Sequence, residues 1–201
     1  MAIFTPAKLW RDVERRSNGV DEEEFVNGRA FKRTREAWCA ARFALGYERL
    51  FGACTVDIEE VDEQMDYDFH LCLSNGEHLP FQIIEALDEH RRRHDEYRLF
   101  TREQRLAVEA ARGGSPDYGA ERVRVAIQSK IDRHIANSHQ LHLLIYLNVN
   151  AGSVAWATLA GPAEDEARHF ASVWIVTEQM ICCIYSGSRW TGLVDWKMIE
   201  P

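Results

Sequence analysis

Residues 141 to 149 read LHLLIYLNV, a nearly continuous apolar run of strand length. A strand with one wet face alternates apolar and polar residues, whereas a strand covered on both faces does not. A sheet that contains this segment therefore needs helices on each side, and the rest of the chain has to supply them.

Two segments have helical spacing. Val123, Ile127, Ile131 and Ile135 recur every fourth residue and predict a helix from about Ala120 to Ala136. Phe31, Trp38, Ala41 and Leu45 predict an earlier helix from Gly28 to Leu50, with Gly52 as its stop. Strand signals lie between them. Ala53 to Glu59 alternates, and Tyr67 to Leu73 and Leu79 to Leu87 read as a hairpin turning at Asn75-Gly76. A helix ahead of the 141–149 strand permits a parallel crossover. The expected fold class is α/β, a mixed central sheet flanked by helices, with core order αβββαβ.

The remainder fills in around this frame. Thr5-Pro6 opens a short helix, and RSNGVDEEE, Arg16 to Glu24, reads as a solvated acidic connector. Residues 1–27 are thus an N-terminal helix and connector, and 28–201 the α/β domain. Further helices are expected over 101–112 and from Pro162 to Phe170, with GGSPDYG as a break. Ser172 to Val176 and Ile181 to Tyr185 read as C-terminal strands. In the tail, Trp190 and Trp196 are candidates to meet a protein partner or a second copy of the chain.

Composition narrows the function classes. No apolar run approaches the ~18 residues of a membrane span, and the N-terminus lacks the order of a signal peptide. A cytoplasmic protein with no membrane contact is expected. The five cysteines are odd in number and include no CxxC pair, which speaks against a disulfide framework and a thiolate zinc site. Buried free thiols are the simpler expectation. No GxSxG, Walker-type or GxGxxG sequence occurs. His134, His139 and His142 fall near the end of the second long helix and the next strand, where a buried, hydrogen-bonded histidine is expected.

The hairpin carries the chemistry. It places Asp68 on one strand and Gln82 and Glu85 on the other. Magnesium takes hard oxygen ligands and keeps several waters, so one or two carboxylates suffice to hold it. With the element order around it, this hairpin resembles the PD-(D/E)xK nuclease superfamily over residues 28 to 150. The resemblance implies roles for particular residues. Asp68 takes the place of the middle-strand acid, Gln82 that of the acid in the acid-x-lysine pair, and Glu48 that of the helix acid. Ile84 stands where the family has lysine. Lys130 is the only lysine on a core element and would replace it. Glu85 would serve instead of Gln82 if a bulge turned it inward.

The implied activity is a metal-dependent endonuclease acting on DNA. Mg2+ or Mn2+ would be held by Asp68, Gln82 and Glu85. Arg91, Arg92 and Arg93 would grip phosphates, although acids flank them and residues 88 to 98 balance to zero charge. The alternative is a catalytically inactive domain of the same fold that binds a protein or nucleic-acid partner. Ile84 and the net charge of -8 favour that alternative.

Overall fold

A computed structural model describes residues 2–58, 66–87, 116–133, 137–148, 156–160, 164–187 and 193–199. The expectations for the 101–112 helix, Arg91, Arg92, Arg93, His134 and Trp190 lie outside these residues.

The chain opens with a short strand, β1 (Ala2–Phe4), that alternation in so few residues could not announce. Thr5-Pro6 then starts α1 (Pro6–Ser17), with proline where a helix has no use for an N–H. Leu9 and Val13, one helical turn apart, are each 1% exposed. The acidic run does more than solvate a connector. The Asp21 carboxylate accepts the Glu23 and Glu24 N–H groups at 2.9 and 3.2 Å and caps α2 (Glu22–Asn27). A single turn of 3-10 helix, Arg29–Phe31, leads into α3 (Lys32–Phe51), which ends at Gly52 with φ +97°. Only glycine adopts that conformation without strain.

Strands β2 (Cys54–Ile58), β3 (Phe69–Leu73) and β4 (His78–Leu87) follow. The hairpin between β3 and β4 forms as expected, but its turn is one residue longer than a two-residue Asn-Gly loop. Gly76 N–H donates to Leu73 O at 3.0 Å, and Leu73 N–H donates to Glu77 O at 2.8 Å. Gly76 alone takes a positive φ, +83°, while the Asn75 side chain accepts the Glu77 N–H at 3.0 Å. Beyond β4 come α4 (Pro116–Ile131), β5 (His142–Asn148), α5 (Trp156–Ala160), α6 (Glu164–Ala167), β6 (Ser172–Val176), β7 (Met180–Ser186) and β8 (Val194–Met198).

Among the described residues the strands form one eight-stranded sheet in the order β1 to β8. Strand pairs β4–β5 and β5–β6 are parallel and the rest antiparallel. The fold is thus α/β, a mixed sheet with helices on both faces. The tail segment around Trp196 is a sheet strand, and Trp196 packs partly buried on the core.

Each face has its own apolar cluster. On one, α1 and α3 cover Val56, Leu71, Phe81, Leu144 and Trp174. On the other, α4, α5 and α6 cover Leu143, Ile145, Val173 and Ile175. Neighbouring residues of β5 therefore serve opposite cores, which explains its unbroken apolar sequence. The Cys182-Cys183 pair divides in the same way, Cys182 into the second cluster and Cys183 into the first. All five cysteines are buried free thiols.

One buried polar network sits within this packing. Ser172 Oγ lies 2.6 Å from His142 Nδ1 and accepts the Trp174 Nε1–H at 3.0 Å. Ser172 and His142 are both fully buried, and the Phe81 ring stacks on His142 at 4.9 Å. The serine hydroxyl thus joins the indole N–H and the imidazole in one buried chain of hydrogen bonds. Replacing Ser172 by Ala leaves both partners without their bond in a dry site. Chemical denaturation of Ser172→Ala should show a loss of about 1–3 kcal/mol. A change below about 0.5 kcal/mol would show that the network is energetically idle.

Candidate functional site

Strands β3 and β4 fork. Their last paired residues are Phe69 and Phe81, whereas β5 follows β4 as far as Leu87. At the fork Asp68 carries the ladder on. Its N–H donates to Phe81 O at 2.7 Å, and its Oδ2 accepts the Ile83 N–H at 2.6 Å. A side-chain carboxylate thus satisfies the donor that the departing strand would otherwise leave unmet.

Gln82 stands across the fork from Asp68 and is 8% exposed. Its Nε2 donates to the Asp66 carbonyl, which fixes the orientation of the amide. Its Oε1 is buried with no hydrogen-bond partner among the described residues. An orphaned amide oxygen in such a place costs about 1–3 kcal/mol unless something fills its lone pairs.

Lys130 comes to the fork from α4. It lies three residues beyond the fully buried Ile127, on the buried face of the helix, and is itself 8% exposed. The chain then returns to His142 at the start of β5, which is paired with Phe81, so the end of α4 belongs to the same end of the sheet. Burial pushes the Lys130 ammonium below the usual lysine range. Asp68 and Glu36 oppose that shift, and Arg133 and Lys32 add to it.

Glu36 is the residue that sequence reasoning missed. It lies in the second turn of α3, with its Oε2 2.9 Å from Arg33 Nη1 and its Oε1 3.7 Å from Lys32 Nζ. Burial first, and the charge of Asp68 second, push its carboxyl above the usual range; Arg33 and Lys32 hold it back. The signal for it was topological. Gly52 joins the end of α3 to the start of β2, and β2 runs antiparallel to β3. The start of α3 therefore lies over the end of the sheet where Asp68 leads into β3. Glu48 lies at the other end of the helix, three turns or ~18 Å along it. There its carbonyl accepts the Gly52 N–H, and its charge acts on Cys54.

Glu85 also stays apart. Alternation along β4 puts it on the face opposite Gln82, and its Oε1 accepts Asn148 Nδ2 at 3.0 Å. Ile84 shares the Gln82 face and packs, partly buried, against the second cluster. The fork thus brings together Asp68, Gln82 and Lys130, with Glu36 added.

Among the described residues no group of three or more His, Cys, Asp or Glu side chains is placed to hold a metal ion. The donors at the fork are a different set, two carboxylates and an amide oxygen. They are all hard oxygen atoms and fit magnesium or manganese, which keep several of their waters, better than zinc.

No family model matches this chain, and no curated protein does. A solved structure from Pseudomonas aeruginosa PAO1 is similar to it, with 20% identity, a TM-score of 0.44 and coverage of 90% of this chain and 83% of that one. That protein is described as one of unknown function in the monooxygenase superfamily. No family model supports the resemblance to the PD-(D/E)xK nucleases, and the residues of the hairpin overturn it. The reading as a DNA endonuclease, or as an inactive member of that family, is withdrawn with it. The local chemistry agrees, since Ile84 fills the expected lysine position with core packing and Glu85 turns away. The likeness is too slight to carry an activity over to this chain.

Lys130 gives a test of the electrostatics. A base whose folded pKa is lowered binds fewer protons than the unfolded chain between that pKa and the ordinary 10.5, so stability rises with pH across that window. Lys130→Met removes the cost of burying the charge. The variant should be more stable than wild type at pH 7, and its advantage should shrink as pH rises towards 10. Thermal melts across this range check both the sign and the convergence.

Proposed function

We propose that the protein binds a hard divalent cation, Mg2+ or Mn2+, at the β3–β4 fork, and with it an oxyanion ligand bearing phosphate or carboxylate. Asp68 and the Gln82 Oε1 are the donors, and Glu36 stands behind them. In this reading the αβββαβ order is the frame that brings a helix start, a strand fork and a helix end to one place.

The observation that carries the proposal is the orphaned Gln82 Oε1. Its Nε2 is already engaged by the Asp66 carbonyl, so turning the amide does not relieve it. A cation does. The same ion would relieve the repulsion that helps raise the Glu36 carboxyl, since that group and Asp68 act on each other as like charges. When bound, the ion supplies an electropositive centre that attracts an oxyanion. Lys130, 8% exposed at the edge of the fork, supplies a second positive charge for the same ligand. A cation in a partly dry site acts on an anion more strongly than one in water.

Calorimetric titration of Mn2+ into the metal-free protein tests the proposal. Asp68→Asn keeps an acceptor for the Ile83 N–H but loses the charge. It should weaken Mn2+ binding by about tenfold or more, ~1.4 kcal/mol. Glu48→Gln, at the far end of α3, should bind as wild type does. Absence of Mn2+ binding in the wild type, or undiminished binding in Asp68→Asn, overturns the proposal.

A further inference from the structure

We draw no further inference here: the strongest candidate, the Arg42 guanidinium stacked on the Trp10 and Trp38 rings where α1 meets α3, its buried Nε–H without a hydrogen-bond partner among the described residues, already has the charges of Glu178 and Glu14 acting on it, and nothing in the structure shows what else would bind there.

Discussion

The structure depends on the burial of β5 from both sides. Leu143, Leu144 and Ile145 are successive residues and each is fully buried, although Leu144 belongs to one apolar cluster and its two neighbours to the other. Each such side chain contributes roughly 1.5–3 kcal/mol on leaving water. The whole of that gain arises only when both helical layers are docked, α1 and α3 on one face and α4 to α6 on the other. The two cores are therefore coupled through a single strand. An interaction that loosens α4 weakens the reason for β5 to hold its place against α3.

That coupling also explains why charged groups are tolerated near the middle of the sheet. Glu36 comes from one helical layer, Lys130 from the other, and Asp68 and Gln82 from the strands between them. Glu36 pairs with Lys32 and Arg33 of its own helix, whereas the Gln82 Oε1 has no hydrogen-bond partner among the described residues. The mutual placement of these groups is imposed by the apolar packing around them, which is strong enough to hold a partly desolvated ammonium and an unmet amide oxygen. Buried polar atoms without a partner are rare in folded proteins, and each one calls for an explanation.

Much of the frame was legible in the sequence because its signals were local. The 141–149 run, the four-residue recurrence on α4, Thr5-Pro6 and Gly52 each mark an element by the chemistry of a few neighbouring residues. β1 and β8 were not legible, since strands of three and five residues at the edges of a sheet carry little pattern. The acidic run hid a helix cap, because Asp21 reads alike as a solvated charge and as an N-cap. At the fork, Asp68, Gln82 and Lys130 were singled out from their types and the elements that hold them. Glu36 was missed in favour of Glu48, because both are acids of one helix and local pattern does not say which end of it faces the hairpin. Only the antiparallel return of the chain through Gly52 tells them apart. The assignment of a family went astray for a related reason. A succession of elements with acids in two strands is a loose template, and the residue that would have made it specific is an isoleucine.

The strand order has a consequence for how the molecule comes together. Because spatial order follows chain order from β1 to β8, most strands find their partner a short distance along the chain, and closing such loops costs little entropy. The join from Leu87 at the end of β4 to His142 at the start of β5 is the long one. The pairing of β4 with β5 is thus the seam between two locally assembled halves, and it is the step that contact order marks as slow. The fork lies on that seam, with Asp68 and Gln82 on its early side and Lys130 delivered only by the segment that closes it. Either half alone lacks the complete set of residues, so the fork is assembled only when the two halves pair.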